Sequence, residues 1–214
     1  NKFTNFAKFT NMFYGGFDGF NILDKNAAYY GDRATSQEIG GLAASSAPAS
    51  PGLRSHTLGK TKYNSAILNY KEAAKLMCDR YTSTVNILSI PGIREAEVTS
   101  AVADTIKDYN LGIYLMDICH YDEDGVRLFD DRKDTATRPD VYATAKKFRG
   151  REIDNNYSAA YFPDVKIEDP INDRRIRVPA SVAALSAIGL NDRLAYPWFA
   201  PAGFNRAALD FVTS

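Results

Sequence analysis

The pattern of apolar residues in the first part of the 61–214 region predicts two helices with a strand between them. Over residues 64–81 the apolar residues return every three or four positions, which predicts an amphipathic helix with one face formed by Ile67, Tyr70, Ala74, Met77 and Tyr81. Residues 94–110 show the same spacing, with a second face formed by Val98, Val102, Ile106 and Tyr109. Between these helices, residues 84–92 form a β-branched run that ends in Pro-Gly, which predicts a strand.

The pattern continues with an apolar strand and then with shorter elements. Residues 111–119 are apolar without alternation, as in a strand that is buried on both faces. Strand, helix and strand in this order predict a right-handed βαβ unit with parallel strands. Residues 138–150 predict a helix that has Pro139 near its first turn and stops at Gly150.

The last elements are a broken strand and a strand that leads into a helix. Residues 158–167 predict a strand region interrupted by Pro163, because proline cannot donate a ladder hydrogen bond. Residues 174–197 begin as a short strand and continue as a helix. Pro179 stands just before that helix, and Ser181 is its predicted cap.

These elements predict an α/β to α+β fold, with a mixed sheet of at least three central strands flanked by helices. The predicted core domain spans residues 61–214. Residues 1–60 predict an irregular glycine-rich and aromatic segment, followed by a mobile loop over residues 33–60, where small residues and prolines leave little to bury.

The net charge of the chain bears on which kinds of partner it binds. Lys plus Arg and Asp plus Glu are both 26, so the formal net charge is zero. This balance gives no electrostatic case for nucleic acid or for an anionic membrane, and it weakly favours self-association. Cys78 and Cys119 predict two free, buried thiols, because two cysteines do not make a disulfide framework. We find no signal peptide and no apolar run near the length of a membrane span.

Acidic residues are densest in the segment 121–134, "YDEDGVRLFDDRKD". The glycine falls at the fourth position from Asp122 and no glutamate follows, so the segment does not fit a calcium loop. A hairpin turn at Asp124-Gly125 is the simpler interpretation. The acids do follow the end of the 111–119 strand, where open α/β sheets bind ligands. An α/β enzyme with an acidic site after that strand is therefore the alternative hypothesis.

The remaining motifs assign no catalytic, cofactor-binding or metal-binding residue. "GGFDG" at residues 15–19 lacks the Gly-Lys-Ser/Thr ending of a phosphate loop. The two histidines, His56 and His120, have no metal-ligand spacing. His120 follows Cys119, but neighbouring residues on a strand point to opposite faces, which argues against a Cys–His dyad.

The C-terminal segment carries a family resemblance. "VPAS" (178–181) leads into a helix of small residues, "ND" (191–192) follows, and "YPWFAPAGFNRAAL" (196–209) completes the stretch. In this order the stretch resembles the contractile tail sheath protein of long-tailed bacteriophages. Upstream, "GGFDGFNI" (15–22) and "NILSIPGI" (86–93) are similar to the glycine element before the sheath core and to a core strand ending in Pro-Gly.

The resemblance implies a mechanical function. Sheath subunits assemble as stacked six-fold rings around the tail tube, and contraction drives that tube through the host envelope without nucleotide hydrolysis. The implied partners are other sheath subunits, the tail tube protein and the baseplate, without direct nucleic-acid or membrane binding and without a cofactor. The implied location is the virion tail, assembled in the bacterial cytoplasm. Sheath chains extend further at both ends, so we expect this chain to be part of a longer protein and to be monomeric by itself.

The resemblance also assigns roles to particular residues. Trp198, Phe199 and Phe204 are expected in the domain core or against a further C-terminal segment, with Pro197 and Pro201 holding the chain extended. Two groups of opposite charge are the expected subunit contacts: Arg174, Arg175 and Arg177 in one, and Asp122, Asp124, Asp130 and Asp131 in the other. A binding module that is not viral remains a third hypothesis and would present one dominant apolar patch.

Overall fold

Helices alternate with single strands or with groups of three strands along the chain, and the predicted helices and central strands occur in the predicted order. The computed structural model describes residues 65–128, 138–169, 171–196 and 198–213. Within these ranges the protein is a mixed α and β structure with four helices and small parallel and antiparallel sheets. The elements are α1 (Ser65–Met77), β1 (Ile87–Ser89), α2 (Ala96–Tyr109), β2 (Ile113–Asp117), β3 (His120–Tyr121), β4 (Arg127–Leu128), α3 (Val141–Arg149), β5 (Ser158–Tyr161), β6 (Val165–Asp169), β7 (Arg174–Val178) and α4 (Ala180–Leu194).

A three-stranded sheet with the order β1-β2-β5 forms the centre. Both pairings are parallel, with Ile87 opposite Ile113 and Tyr114 opposite Ser158. The parallel pairing predicted for the first strand–helix–strand unit is therefore confirmed. β2 is the middle strand, and four of its five residues are buried, as its continuous apolar sequence predicts.

The main hydrophobic core lies between this sheet and the first two helices. All four residues predicted for the inner face of α2 are buried: Val98, Val102, Ile106 and Tyr109. Tyr114 and Met116 of β2 belong to the same core cluster. The neighbouring side chains on β2 point to the opposite face of the sheet, where Asp117 contacts Ser181 of α4. Helices therefore cover both faces of β2.

The inner face of α1 is shorter than predicted. Ile67 and Ala74 are buried, but Met77 is 48% exposed and Tyr81 is 97% exposed. The helix ends at Met77, so the 3.6-residue period no longer relates Tyr81 to the face below it. Cys78, the first residue after the helix, is buried instead. Both thiols are free as predicted, although Cys119 is only half-buried.

Capping residues fix the ends of α3. The helix begins after Asp140, whose carboxylate accepts a hydrogen bond from the Ala143 N–H. It ends at Gly150, whose N–H bonds to the Lys146 carbonyl. Gly150 is thus the stop that the sequence predicts, and Pro139 lies just outside the first turn.

The antiparallel strands lie in their own small sheets. We predicted one mixed sheet, but β3–β4 and β6–β7 form separate two-stranded sheets beside the parallel one. The break at Pro163 explains the second separation: the 158–167 region divides into β5 and β6 at a residue that cannot donate to a ladder. We call β6, β7 and their turn the ribbon. Ile167 of the ribbon also forms a bridge to Val212.

Several predictions fall on residues outside those that the structure describes. They concern the segment 1–60 with its GGFDG motif and loop, His56, Pro197, and the acids Asp130 and Asp131. Within the described part of the chain, no helix is both long and apolar enough to span a bilayer.

Candidate functional site

A buried aspartate closes the carboxyl end of the central strand. Asp117, the last residue of β2, is 2% exposed. Its carboxylate accepts hydrogen bonds from the Gly92 N–H at 3.0 Å, the Ser181 N–H at 2.9 Å and the Ser181 hydroxyl at 2.7 Å. Gly92 lies between β1 and α2, and Ser181 in the first turn of α4. One carboxylate therefore joins the end of β2 to two other parts of the fold.

The start of α4 corrects a prediction. The N-cap residue is Pro179, which forms no side-chain cap hydrogen bond, and Ser181 lies inside the helix. Ser181 is therefore not the cap that we predicted. The first N–H groups of a helix lack intrahelical partners. Asp117 accepts one of them from across the fold, and its negative charge also complements the helix dipole.

A second buried carboxylate lies between Pro163 and the ribbon. Nη2 of Arg94 contacts the two oxygens of Asp164 at 2.8 and 2.9 Å. Nε2 of His120 lies 3.6 Å from Oδ1 of the same carboxylate, and the His120 ring packs edge-on against Phe162. Burial raises the pKa of Asp164 above its usual value, while the charge and hydrogen bonds of Arg94 oppose that shift.

A third buried contact joins the start of α2 to β4. Nη1 of Arg127 lies 2.6 Å from Oε2 of Glu95, and both side chains are almost fully buried. Beside it, the Cys119 thiol donates to the Arg94 carbonyl at 3.0 Å. Cys119 and His120 thus bind different partners, which agrees with the argument against a dyad.

These three contacts form a cluster of paired polar and charged groups at the ends of the parallel strands. Buried charges are stable only when they are paired and hydrogen-bonded. Each carboxylate here faces a protein donor or cation, so the arrangement is suited to joining elements in a defined geometry. We call this set the buried polar cluster; its members are Arg94, Glu95, Asp117, His120, Arg127, Asp164 and Ser181.

Sequence reasoning missed the buried polar cluster. Its strongest available signal was Asp117, a charged residue inside the apolar run 111–119. A carboxylate in a strand buried on both faces must have partners. Asp164 carries no comparable local signal, because its pairing with Arg94 spans 70 positions.

The structure divides the three predicted contact arginines between two faces. Arg174, Arg175 and Arg177 are all exposed on β7. Because side chains alternate along a strand, Arg175 and Arg177 share one face and Arg174 lies on the other. Arg174 lies 3.8 Å from Asp169. In the ladder, Arg177 stands opposite Lys166 and Arg175 opposite Glu168, although neither arginine forms an ion pair within the described part of the chain.

The described acids of the predicted contact loop lie in the β3–β4 turn. Asp122 accepts a hydrogen bond from the Val126 N–H at 2.7 Å, and Gly125 has a positive φ of 76°. The predicted hairpin turn at Asp124-Gly125 is confirmed. Glu123 and Asp124 are exposed at its tip. Among the residues that the structure describes, no group of three acidic, histidine or cysteine side chains is placed to hold a metal ion.

The aromatic segment after α4 lies at the surface. Trp198 is 75% exposed, Phe204 is 97% exposed and Phe199 is 43% exposed. Tyr196 stacks on Trp198 with ring centroids 4.8 Å apart, and Nδ2 of Asn191 donates to the Phe199 carbonyl at 2.9 Å. These rings therefore do not pack in the core of the described part, contrary to the first of their two predicted packings. Packing against a further segment stays a prediction.

Comparison with protein families, with curated proteins and with solved structures finds no match to this chain.

Proposed function

We propose that this chain is a structural subunit of a contractile phage tail sheath, with the α/β core as the sheath core fold. The observation that carries the proposal is the segment 196–209. Its proline-rich aromatic sequence resembles that of sheath proteins, and its rings are exposed, with Trp198 at 75% and Phe204 at 97%. Exposed rings in a cluster are typical of a surface that another protein segment covers.

The proposed contacts between subunits are electrostatic as well as apolar. The face of the ribbon with Arg175 and Arg177 is basic overall, although Glu168 stands opposite Arg175. The tip of the β3–β4 turn with Glu123 and Asp124 is acidic. A single exposed ion pair contributes only about 0–1 kcal/mol. Repetition around a ring and along a stack multiplies such weak contacts, and weak contacts can exchange partners when the lattice contracts.

The proposed mechanism stores energy in the packing of subunits. Two arrangements of the same surfaces, separated by a barrier, form a bistable interface. In the sheath proposal the extended arrangement has the higher energy, and the baseplate triggers the change to the contracted one. In this proposal, the energy released by the change in subunit packing moves the tail tube inside the rings. The chain then needs no catalytic residue of its own.

Electron microscopy of the natural gene product that carries this sequence tests the proposal. We expect tubes or stacked six-fold rings from the natural product and single particles from the 214-residue chain. A natural product that stays a small particle under all assembly conditions would contradict the sheath function.

Charge reversal tests the proposed contacts. In the natural product, the double substitution Arg175→Glu and Arg177→Glu should lower the yield of tubes, as should Glu123→Lys with Asp124→Lys. Combining all four should restore part of the yield. Arg174→Glu is the matched control, because Arg174 lies on the other face of β7 and faces Asp169. Equal effects of the control and the double variant would reject this assignment of the contact face.

The enzyme hypothesis remains the alternative to this function. It requires the acids after β2 to line a cleft. Of these acids, Glu123 and Asp124 are exposed at a turn, and Asp122 holds that turn by a hydrogen bond. If no tubes form, a screen of metal ions and small substrates against Asp122→Ala and the unmodified chain becomes the next experiment.

A further inference from the structure

The ribbon is only loosely part of the α/β core. β6 and β7 pair with each other over five residues each, in a sheet separate from β1-β2-β5. None of the strand residues of the ribbon is fully buried. Val212 bridges to Ile167, and Thr213 donates its N–H to the Lys166 carbonyl at 2.8 Å. The last described residues are therefore attached to the ribbon.

The carboxylate of Asp164 carries polar contacts between the ribbon region and the core. Asp164 is the residue before β6, and its partners lie next to the parallel sheet. Arg94 contacts both of its oxygens, and His120 approaches one of them. The side chains of Arg94 and Asp164 are 1% and 6% exposed.

The neighbouring helix has a separate attachment. α4 follows the ribbon directly, and Ser181 in its first turn is held by two hydrogen bonds to Asp117. The ribbon can therefore move relative to α4, with the bend at Pro179, while α4 stays attached to β2. On the other side, the ribbon joins β5 through residues 162–164.

A buried ion pair is suited to an element that opens. Its mutual attraction is offset by the cost of removing two charges from water. When the pair separates and both groups reach water, that cost is recovered, so the open and closed states differ less in free energy than the close contacts imply. An apolar contact of the same size has no such compensation.

We propose that the Arg94–Asp164 pair is a latch that closes the ribbon onto the core. When the latch opens, the ribbon and Asp164 swing as one unit about residues 162–163 and Pro179, while β1, β2, β5 and the helices stay folded. The basic face with Arg175 and Arg177 turns with it. The latch is a property of the contacts within this chain and holds whether or not the chain is a sheath subunit.

Hydrogen exchange measured by mass spectrometry tests the latch with the variant Asp164→Asn. Asparagine removes the negative charge that the buried guanidinium of Arg94 faces, which favours the open ribbon. We expect amides of β6 and β7 to exchange about tenfold faster than in the unmodified chain, and amides of α2 and β2 to change less than about threefold. Equal acceleration in all four elements, or no change in the ribbon, would overturn the proposal.

Glu95→Gln is the matched control. It breaks a second buried ion pair, in which Nη1 of Arg127 lies 2.6 Å from Oε2 of Glu95. That pair joins the start of α2 to β4 and does not involve the ribbon. We expect faster exchange at the start of α2 and in β4, and an unchanged ribbon. If Glu95→Gln accelerates the ribbon as much as Asp164→Asn does, the pair at Asp164 has no specific role as a latch.

A second measurement needs no variant and applies even if Asp164→Asn fails to fold. Exchange of the unmodified chain is followed at low, increasing denaturant concentrations. The latch predicts that amides of β6 and β7 open together, with a smaller free energy and a weaker denaturant dependence than amides of β2. If the ribbon and β2 open in a single step, the latch is rejected.

Discussion

At the scale of single residues, Asp117 joins three separate segments of the fold through one carboxylate. Its carboxylate accepts from Gly92, from the Ser181 N–H and from the Ser181 hydroxyl. Asp117→Ala leaves these buried donors unsatisfied and should lower the free energy of unfolding by about 3 kcal/mol. Ser181→Ala removes one of the three bonds and should cost about 1 kcal/mol.

Urea unfolding of both variants measures these costs. Equal losses for Asp117→Ala and Ser181→Ala would show that only the hydroxyl contact matters. Asp117 would then not be the joint between β2, the turn at Gly92 and α4.

Tyr114 makes the free energy of unfolding depend on pH in the alkaline range. It is 1% exposed; burial first, and the nearby charge of Asp117 second, raise the pKa of its hydroxyl well above the usual value. In the unfolded chain this hydroxyl loses its proton near pH 10, whereas the folded chain retains it. The unfolded state thus binds fewer protons above that pH, and stability falls as pH rises.

Tyr114→Phe removes this contribution. Between pH 10 and 12 the fall in unfolding free energy should become shallower by about 1.4 kcal/mol per pH unit, the slope of one proton. Urea unfolding at several alkaline pH values gives the slope. Tyr142→Phe is the control, because Tyr142 is 76% exposed. The same change of slope in both variants would contradict the assignment to Tyr114.

At the scale of elements, the exit from α3 contains a strained residue. Glu152 follows the helix with a φ of 49°, in the left-handed region where a Cβ atom is unfavourable. Glu152→Gly should raise the free energy of unfolding by about 1 kcal/mol, because the gain in the folded state exceeds the added entropy of the unfolded chain.

Glu152→Ala separates this backbone effect from loss of the side chain. Alanine keeps the Cβ atom and should bring no gain, and thermal unfolding compares the two variants. A glycine variant that is less stable than the alanine variant would contradict the strain.

The helices and strands also show which features the local sequence pattern predicts correctly. Every residue assigned to the face of α2 is buried, because a 14-residue helix keeps its period over four turns. The same rule failed at Tyr81, where α1 had already ended. The separation of β5 from β6 was visible at Pro163, but the partners of each strand were not, since pairing depends on residues far apart in the chain.

At the scale of the whole molecule, the single tryptophan reports on the aromatic segment. Trp198 is 75% exposed although its neighbours in sequence are strongly apolar. A soluble quencher should therefore reduce its fluorescence almost as efficiently in the folded chain as in the urea-unfolded chain. In tubes of the natural gene product, the sheath proposal predicts strong protection of the same ring.

Strong protection of Trp198 in the isolated chain would contradict the exposed segment. Phe204→Ala is a useful companion, because Phe204 is 97% exposed and its loss should not change the stability of the chain. A loss of tubes from the same variant of the natural product would locate the contact.

The sequence by itself determined the order and type of the elements, the parallel unit around β2, and the turn at Asp124-Gly125. These features depend on periodicity and on the conformational limits of proline and glycine, which act within a few residues. The resemblance of residues 196–209 to sheath proteins is also a property of the sequence, and it suggested a function before any contact was known.

Only the tertiary structure decided which charges are buried and which surfaces are left open. Arg94 and Asp164 are 70 positions apart, and nothing in their local sequence distinguishes them from surface charges. Arg174 and Arg175 are neighbours, yet strand pairing places one beside Asp169 and leaves the other on the opposite face. Burial and pairing of charge arise from long-range packing, because the desolvation that makes a charge costly exists only once distant elements enclose it.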